Sequence, residues 1–262
     1  MAKRITQRIL DEQSAVGGRA VSLTFRTDDG PTATSPVPAL LRLPAATEPA
    51  PAALLLHGYR SRKEDMADFV GEALLPLGIA SLSIDLPLHG DRADPFELRS
   101  VRDPFELAAR WRTAIDEAQL AVRFLSARRE IDRTRLAVIG YSLGAYLALA
   151  LVERDRGPSA VVLAAGGDLP ADLPFGALVR TVADPPRAVR HLEGRPLLMV
   201  NGRLDRTVRA DQATRLFDAA REPKEIRWYG GGHWPPASEI DAATAWLATR
   251  LGAVEHLGRG VG

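Results

Sequence analysis

Short, nearly unbroken apolar runs constrain this chain more than any other feature. Residues 52–58 (AALLLHG), 135–140 (RLAVIG), 160–166 (AVVLAAG) and 196–202 (PLLMVNG) lack the polar alternation of a half-exposed strand, and 79–86 (IASLSIDL) reads as a further buried strand. Runs this short and this apolar suit strands buried on both faces, as in a parallel sheet covered by helices. Helical patterns separate them, at about 143–153, 209–221 and 238–251, and EIRWYG at 225–230 reads as a last strand. Alternating strands and helices give an α/β fold: one domain over 1–262, a mostly parallel central sheet with helices on both faces.

The first 45 residues break that rhythm. Residues 20–27 alternate apolar and polar, DDGPTATSP turns, and 37–44 resumes an extended pattern, so antiparallel strands are expected here. Ser61-Arg62-Lys63-Glu64 reads as a capping box, and the basic run RSRK at 60–63 as a solvated helix start. Met66, Phe69, Val70, Ala73 and Leu74 then form the expected buried stripe, and Gly78 the stop. Asp103-Pro104 opens a long helix with Trp111, Ile115, Ala118, Val122 and Leu125 facing the sheet. DPFEL at 94–98 repeats at 103–107, and the first copy reads as a one-turn echo in a surface loop. The Pro-rich stretch 167–194, with Leu173, Phe175, Leu178 and Val179, suits a short lid or a plain connection; residues 253–262 read as a flexible tail.

Composition removes several classes of function. With 34 basic and 33 acidic residues the formal net charge is +1, which gives no electrostatic reason to expect nucleic acid or an anionic membrane as partner. Cysteine is absent, which excludes disulfides, thiolate metal sites and a Cys nucleophile together. No stretch has the apolar core of a signal peptide or the length of a membrane span, so a cytoplasmic protein is expected.

Residues 140–144 read GYSLG. The strand 135–140 runs directly into it, and an apolar helix (Leu143, Tyr146, Leu147, Ala150, Leu151) begins at once. So tight a strand-to-helix turn leaves room only for small residues two positions either side of Ser142, which explains Gly140 and Gly144, and aims the helix N-terminus at the serine. A serine hydroxyl needs a base, and five histidines compete: His57, His89, His191, His233 and His256. His233 follows YGGG after the last strand. His57 and His89 sit in His-Gly turns, His191 lies at the wrong end of a strand, and His256 is in the tail. The backbone N–H of Leu143, the residue after the serine, is one candidate donor to an oxyanion.

LLLHGY, DLPLHGDR, VIGYSLG, NGRLDRTV and GGGHWP, in that order over nearly the whole chain, resemble the bacterial esterase-like and dienelactone-hydrolase-like serine hydrolases of the α/β-hydrolase superfamily. One departure is Ala145, where many relatives carry a further glycine. The resemblance implies Ser142 as nucleophile, His233 as base, Asp205 as the acid that orients it, and the Tyr59 N–H as second oxyanion donor. Asp168 competes for the acid's role, Asp211 fits a cap or a solvated site, and Asp85 a tie within its own loop. The rings of Tyr59 and Trp234 either narrow a substrate pocket or simply pack. A serine at 142 argues against the superfamily's Asp-dependent dehalogenases and epoxide hydrolases, and against true dienelactone hydrolases, which use Cys.

Hydrolysis of small carboxylic esters, with short acyl chains favoured, is therefore expected, with no cofactor and no metal. Thioesterase, amidase, peptidase or perhydrolase chemistry would use the same triad, and a receptor or pseudoenzyme would keep the fold without turnover. Neither the natural substrate nor the oligomeric state is legible.

Overall fold

Nine strands join in one sheet, in the order β1-β2-β3-β5-β4-β6-β7-β8-β9. The computed structural model describes residues 4–28, 35–92, 103–172 and 179–253. The strands are β1 (Ile5–Ala15), β2 (Gly18–Thr27), β3 (Val37–Pro44), β4 (Ala50–Leu56) and β5 (Ala80–Ile84). They continue with β6 (Ile131–Tyr141), β7 (Pro158–Ala164), β8 (Leu197–Gly202) and β9 (Lys224–Tyr229). Antiparallel pairing links β1, β2, β3 and β5, and every pairing from β5 through β4 to β9 is parallel. All seven residues of β4 are buried, as its unbroken apolar run requires.

Two helical layers cover the sheet. One contains α3 (Pro104–Ser126), α4 (Leu143–Arg154), α5 (Pro185–Arg190) and α6 (Ala210–Ala219). Its core includes Ile115, Ala118, Val122 and Leu125, the stripe expected of α3, packed with Leu54, Val138 and Leu163 of the sheet. Asp103 caps α3 by accepting the Phe105 N–H, with Pro104 at the first helical position. The opposite face carries α7 (Ala237–Arg250) and a segmented helix over residues 63–77. That helix comprises α1 (Lys63–Met66), a π-turn (Ala67–Gly71), α2 (Glu72–Leu74) and a 3₁₀ turn (Leu75–Leu77), closed by left-handed Gly78 at φ 72°.

Four expectations need correction. The polar strand β1 is absent from the sequence reading, because most of it is exposed and its apolar residues do not alternate. The cap at residue 62 is built by Asp65, not Glu64: its carboxylate accepts from the Arg62 N–H (3.2 Å) and the Ser61 hydroxyl (2.7 Å). Lys63 is not solvated; its side chain is 3% exposed and its ammonium meets Glu64, Asp85 and Asp91. Phe69, expected in the core, is 61% exposed, because the π-turn swings it off the buried stripe.

Within 167–194, Ala188, Val189 and Leu192 are buried in the first core layer, so this part of the stretch packs as scaffold. Leu173, Phe175 and Leu178, the first DPFEL copy, and tail residues 254–262 with His256 lie outside the described residues. No described helix is long and apolar enough to cross a membrane.

Candidate active site

The turn after β6 is held by backbone contacts that exclude larger residues. A Cβ on Gly140 would lie 2.3 Å from the Gly144 carbonyl oxygen, and one on Gly144 would lie 2.0 Å from that of Leu56. Ser142 between them has φ 51° and ψ −113°, a strained conformation for a residue with a side chain. Its own N–H donates to the Ala164 carbonyl of the neighbouring strand at 2.9 Å, which pins the turn to the sheet. Ala145 is buried, 1% exposed, in the first turn of α4.

Three expected residues meet here. Ser142 Oγ lies 2.9 Å from His233 Nε2, and His233 Nδ1 lies 2.7 Å from Asp205 Oδ2. The other carboxylate oxygen of Asp205 accepts the N–H groups of Thr207 (2.7 Å) and Val208 (3.0 Å), and the side chain is fully buried. A carboxylate so held accepts only, so His233 carries its proton on Nδ1 and presents a bare Nε2 to the serine hydroxyl. Behind the histidine, Tyr229 Oη donates to the carbonyls of Gly232 (2.9 Å) and His233 (3.3 Å). Burial raises the Tyr229 phenol to about 12, with the Asp205 charge adding to the shift, so it stays a donor at neutral pH.

Asp168 is engaged elsewhere. Its carboxylate bridges Arg180 (2.8 Å) and Arg215 (3.2 Å) and accepts the Leu169 N–H. Asp211 pairs with Arg209 and Arg215 on the surface of α6, and His191 is an exposed helix end.

Leu143 opens α4, so its N–H has no intrahelical acceptor and is available beside Ser142. Tyr59 follows Gly58 in the loop after β4; its half-buried ring sits edge-on to His89, with centroids 5.7 Å apart. A Cβ on Gly58 would press on the Tyr141 ring at 2.8 Å, so this loop crosses directly above the residue preceding the serine. Trp234 is 59% exposed and stacks on Tyr141 (4.5 Å, 25°).

Three buried side chains, His57, Asp85 and Lys63, brace the Tyr59 loop, and of these sequence reasoning missed Lys63. His57 accepts the Leu86 N–H at Nε2 (3.1 Å) and donates from Nδ1 to the Gly58 carbonyl (2.8 Å), which ties the loops after β4 and β5 together. Both its nitrogens are thus occupied, and among the described residues no three His, Asp or Glu side chains gather as a metal-ligand set. Asp85, fully buried, accepts from the Lys63 N–H (2.8 Å), the Lys63 ammonium (3.0 Å) and the Asp91 N–H (3.0 Å). Burial opposes the charge on Lys63, but the carboxylates of Asp91, Glu64 and Asp85 outweigh it and raise its pKa. The uncommon signal was a lysine in a capping stretch followed by two aspartates flanking a His-Gly turn.

Burial lowers His57 to about 4, with His89 adding to the shift and the Gly58 hydrogen bond opposing it. His89 is lowered as well, by burial first, against the Pro87 hydrogen bond and the Asp85 charge. A histidine whose folded pKa is depressed contributes stability above its unfolded pKa and loses it as pH falls toward the folded value. Unfolding free energy should therefore drop by about 2 kcal/mol between pH 7 and pH 5 from His57 alone. Urea melts at the two pH values check this. His57→Gln should flatten the slope, and an unchanged slope would refute the assignment.

The sequence model of the Alpha/beta hydrolase family matches residues 53–192. An uncharacterized protein of Mycobacterium tuberculosis (strain CDC 1551 / Oshkosh) is 32% identical over 128 residues, 46% of this chain and 45% of that protein. The match thus spans less than half of that relative's length. Among solved structures, a cold-adapted esterase from an Arctic intertidal metagenomic library superposes with TM-score 0.72 at 19% identity, over 95% of this chain and 99% of that one. An acetyl xylan esterase from Paenibacillus sp. R4 superposes with TM-score 0.75 at 17% identity, over 95% and 89%.

Proposed function

Because the chain belongs to the Alpha/beta hydrolase family, we propose that it is a serine hydrolase that cleaves small carboxylic esters through an acyl-enzyme on Ser142. The observation that carries this reading is the unbroken relay from Ser142 Oγ to His233 Nε2 to Asp205, with 2.9 Å and 2.7 Å between the partners. Ser142 Oγ attacks the ester carbonyl while its proton passes to His233 Nε2. The Asp205 carboxylate stabilises the imidazolium that forms, and the N–H groups of Leu143 and Tyr59 receive the oxyanion. Collapse expels the alcohol, which takes the proton from His233. Water, deprotonated by the same nitrogen, then attacks the acyl-enzyme and releases the acid. Two of the structural neighbours are esterases, which supports an ester substrate.

A fluorophosphonate probe tests the assignment: one adduct, mapped to Ser142, is expected, and an adduct on another serine or none at all overturns it. Thioesters and amides, assayed alongside, decide the leaving group.

Short acyl chains should be preferred. Each methylene adds about 0.8 kcal/mol only where it meets apolar surface. The stretch between β7 and β8 gives part of its length to α5 and the core layer, which leaves little chain for a long acyl tunnel. Across p-nitrophenyl acetate, butyrate, octanoate and palmitate, kcat/KM should stop rising after butyrate. A steady rise to palmitate would contradict this.

A further inference from the structure

On the side of Tyr141 and Trp234 away from the first helical layer, a cavity of about 340 Å³ lies between the sheet and the second helical layer. Its floor is Ile139, Val162 and Val200, side chains of the second core, and its walls are Val70 of the π-turn and Ile240 and Ala243 of α7. Two features explain why it is not filled. The π-turn carries Phe69 outward to 61% exposure, and the lining includes the small residues Ala164 and Ala243. Phe69 and Trp234, both largely exposed, flank its opening.

We propose that this cavity is a binding site for a small, uncharged, predominantly apolar molecule, separate from the site at Ser142. The volume sets the size. A cavity of roughly 150 Å³ takes benzene, so this one suits about eight to twelve non-hydrogen atoms. The lining sets the chemistry. Most of its polar side chains are engaged within the protein: Ser61 donates to Asp65 (2.7 Å), Thr244 to the Asp241 carbonyl (3.0 Å), Tyr141 to the His233 carbonyl (3.4 Å), and Glu239 accepts from Arg227 (2.9 Å), while the Trp234 indole belongs to a largely exposed side chain. A ligand can therefore gain little there except apolar contact. Asp65 and Glu239, both lining the cavity, set two carboxylates against an anionic ligand. A fatty-acid anion is thus disfavoured relative to an alcohol of the same length. The lining includes none of Ser142, Asp205 and His233, and the Tyr141 ring that lines the cavity also packs on the His233 ring (centroids 5.2 Å apart), so the occupant is distinct from the acyl chain of a bound substrate.

Calorimetric titration with n-octanol and with octanoate tests the site on the intact protein. Saturable one-to-one binding of n-octanol is expected, with octanoate at least about tenfold weaker. Ala243→Leu, which fills the cavity from α7, should weaken n-octanol by about tenfold or more. Ile240→Trp, which fills it nearer the surface, should do the same if the first variant does not fold. Protein carrying the fluorophosphonate adduct should keep its affinity for n-octanol. Absence of saturable binding, binding untouched by both substitutions, or equal affinity for octanoate overturns the proposal. So does loss of binding in the adduct, which would put the alcohol at Ser142. Failure to form the adduct would count against the esterase reading alone, since the titrations of the unmodified protein and the filled variants still decide the cavity.

Discussion

Ser142→Ala is expected to lower kcat for an ester by roughly 10⁴–10⁶-fold while KM changes little. The Ser142 hydroxyl has His233 Nε2 as its partner, and its backbone is fixed by the Ala164 carbonyl and by contacts at Gly140 and Gly144, so removing Oγ leaves the turn in place. What disappears is the atom proposed to form the acyl-enzyme. The residual rate would come from the Leu143 and Tyr59 donors acting on an attack by water. Steady-state kinetics on p-nitrophenyl acetate measure the effect, and retention of more than about a tenth of kcat would exclude Ser142 as nucleophile.

Asp205→Asn is expected to cost about 10⁴-fold in kcat, and Asp168→Asn less than about tenfold. The first effect follows from which oxygen does what. Thr207 and Val208 donate two N–H groups to Asp205 Oδ1, so the asparagine carbonyl must stay on that side. Its NH₂ group then faces His233 Nδ1 and forces the proton onto Nε2, where the imidazole can no longer take one from Ser142. Asp168 holds Arg180 and Arg215, so its amide costs ion pairing and stability rather than the base. If Asp168→Asn proves the more crippled enzyme, the acid has been misassigned.

Much of this was readable in the sequence because the strong signals are local. An apolar run such as 52–58 has few alternatives once it is too short for a helix, and GYSLG joins a strand to a helix with no residue to spare. Asp205 and His233 were legible by resemblance and chain order, which also favoured Asp205 over Asp168; the engagement of Asp168 with Arg180 and Arg215 was not legible. Phe69 failed for a different reason. Helical spacing assumes a constant 3.6 residues per turn, and the π-turn at Ala67–Gly71 changes the register within the apolar stripe. The burial of Lys63 was equally hidden, since its partners Asp85 and Asp91 are more than twenty residues away in the chain.

The hidden strand β1 has a consequence at the margin of the sheet. It forms one terminus of the strand order, where unpaired N–H and C=O groups could template another chain. Asp11 and Glu12 put charge along that border, Glu12 tied to Arg19 at 2.7 Å, and the register slips between Ile9 and Asp11. Charge and a bulge are the means by which exposed borders resist strand addition. The polarity that concealed β1 from pattern reading is thus a safeguard against amyloid-like self-assembly.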